Sequence, residues 1–340
     1  MSEADPPKSF VGAIMDGRQT QQKASKSMGR QMPHAARHSR PTASLAEKPL
    51  VWVRAVRPFS FTCAATPVIV ATAAALPVGR WRWDALGAAL IAVVCLEIVG
   101  NLLNDYFDYT SGVDTRSQGD EGRPGRLLVT GEITPRQVLR VAVAGLVVAL
   151  ATAAYLSWRV NALVLAFYAV GIAAACSYTG PPLKLKSRAL GEPTILFIYG
   201  PAIMSAAAYV QVERIPMPVA LLSIPVGLST TFVLAANNLR DMEEDAAGGG
   251  RTLAHVLGGR RMAGLFCALA PVPALGVAAV GLAFGAPLLA LSLLSLATMI
   301  GPVRAVATGV RVPDIDARTA RYNLVLSAIA AGVLIAGGGL

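Results

Sequence analysis

The sequence predicts an all-α polytopic membrane protein, and three observations favour this fold class. The 340 residues are 54% hydrophobic and only 15% charged, whereas soluble domains carry about 25% charged residues. The mean hydropathy is +0.54. The apolar residues form runs close to the roughly 20 residues that cross a bilayer. These runs are rich in Ala, Leu and Val and lack the period-two alternation of transmembrane β-strands, which excludes a β-barrel.

Nine apolar runs are long enough, or nearly so, to cross a membrane. They cover residues 60–79, 84–107, 135–157, 160–178, 189–211, 216–239, 261–281, 286–303 and 322–340. Nine crossings place the two chain termini on opposite faces of the membrane. The predicted fold is therefore a bundle of nine transmembrane helices.

The distribution of basic residues predicts the orientation of this bundle. Of the 22 Lys and Arg residues after position 48, only four belong to one side, namely Arg80, Arg82, Arg159 and Arg214. The other 18 lie in or flank the N-terminal tail or the connections 108–136, 179–188, 240–261 and 304–321. Because cytoplasmic loops carry an excess of Lys and Arg, we predict that the N-terminus and these connections face the cytoplasm. The prediction is a multi-pass protein of the inner, cytoplasmic membrane.

The first 48 residues differ from the rest of the chain. They carry eight basic and four acidic side chains, are rich in Ser, Gln, Pro and Lys, and contain no apolar segment of the signal-peptide type. We predict a disordered cytoplasmic tail at 1–48 and a transmembrane domain at 49–340. The net charge of +10 fits a basic surface beside anionic membrane lipid, and we expect no nucleic-acid partner.

The cytoplasmic end of the second run carries a polar string, NLLNDYFDYTSGVD. At 100° per residue, Asn101, Asn104, Asp105 and Asp108 fall within an arc of about 100° on a helix. The sixth run ends in AANNLRDMEEDAAGGGRTL, where the same arithmetic groups Asn237, Asn238, Asp241 and Asp245. Each helix therefore presents amides and carboxylates on one face, on the same predicted side of the membrane.

Paired carboxylates at this spacing suit a hard divalent cation. Mg²⁺ is typically held by one or two carboxylates while it keeps water and phosphate oxygens in its shell, so such a site binds a diphosphate through metal. A single DxxD at a helix end has an ordinary explanation in solvation or helix capping. Two such motifs with flanking basic loops favour a functional site, because ionisable groups within membrane helices are functional by default. The histidines and cysteines are too scattered for a metal cluster.

These strings resemble the UbiA-type intramembrane aromatic prenyltransferases over roughly residues 50 to 340. Within that family, NNLRD with a second Asp four residues later is most similar to the 1,4-dihydroxy-2-naphthoate polyprenyltransferases of menaquinone biosynthesis. The segments YTGPPLKLKSRALGE and GEIT contribute to the same resemblance. The resemblance implies a nine-helix UbiA-like bundle around a central cavity. It also implies Mg²⁺-dependent transfer of a polyprenyl group from an allylic polyprenyl diphosphate to an aromatic acceptor.

The resemblance also implies roles for individual residues. It assigns one Mg²⁺ to Asp105 and Asp108 and another to Asp241 and Asp245, with these four carboxylates catalytic. Substrate binding falls to the remaining matched positions: Arg57, Asn104, Arg126, Tyr178, Lys184, Asn238 and Arg251. Arg251 stands where Lys is more usual, and Arg116, Arg123 and Arg126 all remain candidates for one diphosphate contact.

Several alternatives stay open at this point. The acceptor that the resemblance implies is 1,4-dihydroxy-2-naphthoate, and the alternatives are 4-hydroxybenzoate, homogentisate or a non-quinone compound. Glu97, two turns before Asp105, is either a partner of the metal site or a structural buried carboxyl. Tyr178 either faces an allylic cation through its ring or belongs to the interfacial aromatic belt. An ion-coupled secondary transporter is the alternative of another class, although transporters place such carboxylates near the bilayer midplane.

Overall fold

The computed structural model describes residues 48–76, 81–112, 127–242, 246, 251–310, 312–337 and 340. Within these residues all regular elements are helical, which confirms the all-α prediction. We number the helices α1 (Lys48–Val56), α2 (Pro58–Ala74), α3 (Trp83–Thr110), α4 (Leu127–Thr130), α5 (Pro135–Arg159), α6 (Val164–Ser177), α7 (Gly191–Val212), α8 (Met217–Arg240), α9 (Leu253–Leu257), α10 (Gly259–Ala283), α11 (Pro287–Thr308) and α12 (Ile315–Gly337). The predicted tail lies outside the described residues up to position 47, and its disorder stays a prediction.

Each of the nine predicted runs corresponds to a helix, but the count of nine membrane spans is not confirmed. Seven described helices are long and apolar enough to cross a bilayer: α3, α5, α7, α8, α10, α11 and α12. The bent pair α1 and α2 brings the number to eight if it forms one span. The fourth run forms α6, whose 14 residues are shorter than the usual span.

The outer surface of the bundle is apolar, as a lipid-facing surface requires. Trp158 on α5 is 79% exposed, and Leu282 and Leu288 on α10 and α11 are each 65% exposed. By contrast, the inner face of α2 is lined by small buried residues such as Ala71 and Ala74. Long apolar helices with apolar outer faces show that the chain is an integral membrane protein.

Helix α8 lies at the centre of the bundle and contacts α2, α7, α10 and α12. It is also the most buried of the long helices. A buried polar network fixes it to two neighbours, because Asn323 of α12 donates to Thr66 of α2 at 3.1 Å and accepts from Ser229 of α8 at 2.6 Å. Hydrogen bonds of this kind hold helices together where lipid offers no polar partner.

The break between α1 and α2 orients a basic residue. Pro58 begins α2 and has no backbone N–H, and Arg57 before it adopts a left-handed backbone with φ of 55°. The two helices are bent by 47° at this point. The oxygen of Arg57 accepts from the Ser60 backbone and hydroxyl, each at 2.9 Å, so the turn is fixed by its own hydrogen bonds.

A glycine pair lets α7 and α8 approach each other closely. A Cβ on Gly227 would lie 2.7 Å from the Gly200 Cα and 2.7 Å from the Leu196 backbone oxygen. Both of these are backbone atoms, which cannot rotate away as a side chain can. We expect Gly227→Ala to destabilise the protein by about 1–3 kcal/mol through overpacking. Thermal unfolding in detergent measures the effect. Gly87→Ala on α3 is the matched control, because its Cβ meets nothing within 4 Å; equal stability of the two variants would contradict the close packing.

Candidate active site

The C-terminal end of α3 gathers the first acidic motif against two cations. Asp105 is buried, and its Oδ1 accepts from the Arg57 guanidinium at 2.5 Å. One turn later, the Asp108 Oδ2 accepts from the Lys186 ammonium and from the Asn104 amide, each at 3.2 Å. The two carboxylates therefore lie on one helix face, and each carries a positive partner from another part of the chain.

The second motif has a comparable arrangement at the end of α8. Arg240 donates to both oxygens of Asp241 at 2.7 Å and to the Asn237 amide oxygen at 2.8 Å. The same guanidinium reaches Asp316 at the start of α12, with 3.1 Å between Nη1 and Oδ1. Arg240 thereby ties the motif to the connection between α11 and α12. The second predicted carboxylate of this motif, Asp245, lies outside the described residues.

The two aspartates of that last connection behave differently. Asp314 is exposed and pairs with Arg318 at 3.0 Å, and the hydrogen bond from Arg318 lowers the pKa of the Asp314 carboxyl below its ordinary value. Asp314 is therefore a solvated surface group. The side chain of Asp316 is only 17% exposed because it is engaged by Arg240.

The side chain of Asn238 on α8 is held by the buried carboxyl of Glu192, which lies in the first turn of α7. The Asn238 amide donates to Glu192 Oε1 at 2.9 Å, and both side chains are buried. The other oxygen, Oε2, has no hydrogen-bond partner among the described residues. Glu192 therefore fixes the orientation of the Asn238 amide, which lies one turn before Asp241.

Both motifs border the segment Tyr178–Glu192, and this places them at the same end of the bundle. Lys186 of this segment contacts Asp108 on α3, and Glu192 contacts Asn238 on α8. Between them, a Cβ on Gly191 would lie 3.3 Å from the Leu234 side chain and 3.4 Å from the Tyr178 hydroxyl. We call this region, formed by residues 101–108, 178–192 and 237–241 together with Arg57, the motif end.

The remaining predicted substrate-binding residues differ in position and in exposure. Tyr178 lies at the motif end, where its hydroxyl faces Gly191. Lys184 is exposed, with φ of 47°, and Arg251 is exposed as well. Arg126 lies outside the described residues. Within the described ranges, with 113–126 and 243–245 left out, no group of three or more His, Cys, Asp or Glu side chains is arranged to hold a metal ion.

Comparison with known proteins identifies the family of this chain. The model of the UbiA prenyltransferase family matches residues 64–336, which is most of the sequence. The chain belongs to the UbiA prenyltransferase family. The resemblance inferred from the two acidic strings is therefore confirmed at the level of the family.

Two groups of relatives are similar to this UbiA-family chain. It is 32% identical over 223 residues to UbiA prenyltransferase domain-containing protein 1 of Gallus gallus, covering 64% of this chain and 65% of that protein. It is 29% identical over 213 residues to the 1,4-dihydroxy-2-naphthoate octaprenyltransferase of Bacillus subtilis (strain 168), covering 62% and 66%. The match thus spans slightly less than two thirds of the length of the first of these curated relatives.

Solved structures show the same fold. The UbiA homologue from Archaeoglobus fulgidus bound to GPP and Mg²⁺ superposes with a TM-score of 0.58 at 17% identity, covering 84% of this chain and 99% of that one. The apo UbiA homologue from Aeropyrum pernix K1 also reaches 0.58, at 19% identity, covering 81% and 97%. The UbiA-like fold of the bundle is therefore confirmed.

In this UbiA-family chain, the sequence did not predict which basic residues of the motif end contact the acidic motifs. Lys186, rather than Lys184, reaches Asp108, and Arg240 engages Asp241. The string KLK contains both lysines, and the sequence gives no period that selects one of them. Arg240 stands inside NNLRD, so its proximity to Asp241 was readable, but its link to Asp316 joins residues 76 positions apart.

An apolar cavity of about 80 Å³ lies between α3, α6 and α7. Its lining is almost wholly hydrocarbon and includes Ala92, Leu96, Val164, Gly171, Ile198 and Ala207. Leu96 and Ile198 directly precede Glu97 and Tyr199, whose side chains are hydrogen-bonded to each other. Val93 and Ile203, which also line the cavity, lie one turn from Glu97 and Tyr199, so the cavity begins one helical turn from these two polar residues, in the direction that leads away from Asp105.

Proposed function

We propose that this protein transfers a polyprenyl group from an allylic polyprenyl diphosphate to an aromatic acceptor. The observation that carries the proposal is the motif end, where aspartates of α3 and α8 stand beside Arg57, Lys186 and Arg240. Carboxylates and cations brought together at one helix end suit a ligand with several phosphate oxygens. Membership of the prenyltransferase family supports the same reaction.

The proposed acceptor is 1,4-dihydroxy-2-naphthoate, which places the reaction in menaquinone biosynthesis. The string NNLRDMEED and the similarity to the Bacillus subtilis octaprenyltransferase support this acceptor. The vertebrate relatives carry a more general name, so 4-hydroxybenzoate, homogentisate and non-quinone acceptors form the comparison set in the test below.

The donor set of the motif end fits Mg²⁺. Asp105, Asp108 and Asp241 supply carboxylate oxygens, and Asn104 and Asn238 supply amide oxygens, which are ligand types that Mg²⁺ accepts. One or two protein carboxylates are enough, because substrate phosphate and water complete the shell. Asp245 is proposed as the fourth carboxylate. When bound, Mg²⁺ would stabilise negative charge on the departing diphosphate.

The residues of the chain itself perform the rest of the proposed work. Arg57 and Lys186 are held by Asp105 and Asp108 at fixed positions, so their positive charges are arranged before the substrate binds. Such fixed charges stabilise the diphosphate as the allylic C–O bond breaks. Glu192 orients the Asn238 amide, and the apolar lining of the cavity next to Glu97 suits hydrocarbon rather than water.

The proposed location is the inner, cytoplasmic membrane, with the motif end facing the cytoplasm. At the opposite end of α3, Asp84 pairs with Arg159 at 2.8 Å, and Arg82 donates to the Arg159 backbone at 2.9 Å. Arg82 and Arg159 belong to the small set of basic residues on the non-cytoplasmic side of the predicted topology. The excess of Lys and Arg at the other end supports the orientation.

The decisive experiment is a transfer assay with the purified full-length protein in liposomes. With geranyl diphosphate and 1,4-dihydroxy-2-naphthoate, we expect pyrophosphate release that requires the acceptor and stops when EDTA removes the divalent cation. We expect kcat/KM for this acceptor to exceed that for 4-hydroxybenzoate and homogentisate by at least about tenfold, which corresponds to about 1.4 kcal/mol. Absence of transfer to every aromatic acceptor would refute the proposed function, and a reversed preference would refute the acceptor.

A further inference from the structure

A half-buried carboxyl, Glu97, stands between the motif end and the apolar cavity. Glu97 lies on α3 eight residues before Asp105, which is about 12 Å along the helix axis and about 80° around it. Its two oxygens accept from different helices. The Tyr199 hydroxyl of α7 donates to Oε2, and the Asn101 amide donates to Oε1 at 3.4 Å.

Neutral groups hold this carboxyl in place. Asn101 also donates to the Ser60 hydroxyl at 3.0 Å and to the Val56 backbone oxygen at 3.3 Å. Arg57, whose positive charge acts on Glu97, is hydrogen-bonded to Asp105 instead. A carboxyl within a membrane helix that is held by neutral donors is costly to keep, and such groups usually have a function.

Glu97 and Tyr199 are both half-buried and stand close to the apolar cavity. Val93, one turn before Glu97 on α3, and Ile203, one turn after Tyr199 on α7, line that cavity. Tyr199 belongs to the π-helical stretch Ile198–Ala202 of α7, and such single-turn π segments frequently occur at functional sites.

We infer that Glu97, held by Tyr199 and Asn101, is the base that accepts the hydroxyl proton of the aromatic acceptor. This inference rests on the proposed prenyl transfer and adds the residue that activates the ring. The position fits because the carboxyl lies between the charged groups expected to hold the diphosphate and the apolar cavity that suits hydrocarbon. An aromatic ring with a hydroxyl group requires both kinds of surroundings.

In the proposed step one proton leaves the acceptor hydroxyl and one prenyl group passes from the diphosphate to the ring. The acceptor O–H bond breaks and its proton passes to the Glu97 carboxylate, and the oxygen electron pair enters the ring. The ring carbon forms a bond to the allylic carbon of the donor, whose C–O bond breaks and leaves its electron pair on the diphosphate. The substituted ring carbon then loses its proton to water, or loses carbon dioxide where it carries a carboxylate. The electron pair released restores aromaticity and returns to the ring oxygen, which takes back the proton held by Glu97.

The test compares wild type with Glu97→Gln, which keeps the shape and loses the base. With geranyl diphosphate, Mg²⁺ and 1,4-dihydroxy-2-naphthoate, we expect kcat to fall about 100-fold or more, within the range for loss of a general base. Binding of geranyl diphosphate, measured by calorimetry, is expected to stay within about twofold of wild type. Asp84→Asn, an amide replacement at the far end of the same helix, is the matched control and should retain wild-type kcat.

A second readout separates proton transfer from a structural role. With a ring-fluorinated acceptor, whose hydroxyl is more acidic, the deficit of Glu97→Gln should shrink about tenfold, because less assistance is required. Tyr199→Phe leaves Glu97 in place without one hydrogen bond, and we expect an intermediate loss of about tenfold in kcat. This variant also carries the acceptor comparison if Glu97→Gln does not bind geranyl diphosphate.

The outcomes distinguish this inference from the proposed function. If wild type transfers the prenyl group and Glu97→Gln does so at a similar rate, the role of Glu97 is wrong and the proposed function stands. An equal deficit with both acceptors, in Glu97→Gln or in Tyr199→Phe, also overturns the role. If wild type prenylates no aromatic acceptor, the proposed function fails and this inference falls with it.

Discussion

Asp105→Asn is expected to reduce prenyl transfer by about 10²–10³-fold, the usual loss when one electrostatic stabiliser of a transition state is removed. The carboxylate is buried at the motif end and holds the Arg57 guanidinium at 2.5 Å. The amide removes the negative charge that fixes Arg57, and it is a poorer ligand for a divalent cation. The effect should appear in kcat, measured as pyrophosphate release from geranyl diphosphate with 1,4-dihydroxy-2-naphthoate.

A second measurement links this loss to the ligand rather than to folding. We expect Mg²⁺ together with geranyl diphosphate to raise the Tm of wild type and to raise that of Asp105→Asn much less, because a ligand of higher affinity stabilises the folded state more at the same ligand concentration. Asp314→Asn is the control, since Asp314 is exposed and pairs only at the surface with Arg318. Wild-type activity in Asp105→Asn would refute the proposed site.

Arg57→Met is expected to produce the largest loss of stability at the motif end, about 2–4 kcal/mol in the absence of Mg²⁺. The Asp105 side chain is only 3% exposed, and removal of its cation leaves a buried carboxylate unpaired, a change that typically costs several kcal/mol. Met keeps much of the aliphatic length of Arg, so the loss reports on charge. Thermal unfolding in detergent, with and without Mg²⁺, provides the measurement.

The neighbouring arginine supplies the control. Arg54 pairs with Glu132 at 2.6 Å, but these side chains are 33% and 27% exposed, and partly exposed pairs contribute about 0–1 kcal/mol. Arg54→Met should therefore change the Tm little. We expect Mg²⁺ to stabilise Arg57→Met more than it stabilises wild type, because the ion would replace a missing positive charge beside Asp105. Equal losses in Arg54→Met and Arg57→Met would contradict this account.

Most of the fold was predictable because membrane helices are encoded locally. A long apolar run must form a helix in lipid, since its backbone polar groups have no other partner, and all nine runs correspond to helices in the structure. The start of α5 was also encoded nearby: Thr134 and Gln137 of the GEIT region exchange hydrogen bonds at 2.8 and 3.3 Å in a capping box. The number of membrane spans differs from the number of apolar runs because α6 is short and because α1 and α2 are bent at Arg57.

The contacts of the site were only partly predictable. Periodicity places Asn104, Asp105 and Asp108 on one helix face, because that arc depends only on the turn of α3. No such rule selects Lys186 over Lys184, since their positions depend on the left-handed backbone at Lys184 and on the 3₁₀ turn Lys186–Arg188. The pairing of Arg240 with Asp316 depends on how α12 packs beside α8.

The amino-acid sequence by itself determined the helices, their apolar surfaces and the two acidic faces, because each of these depends on residues within a few turns of one another. The tertiary structure alone decided which cation meets which carboxylate, and that Glu97 meets Tyr199 across 102 positions of chain. The physical reason is that such contacts depend on the relative rotation and depth of packed helices. Those quantities are fixed by close approaches such as Gly200 against Gly227. The periodicity of residues along one helix does not predict such approaches.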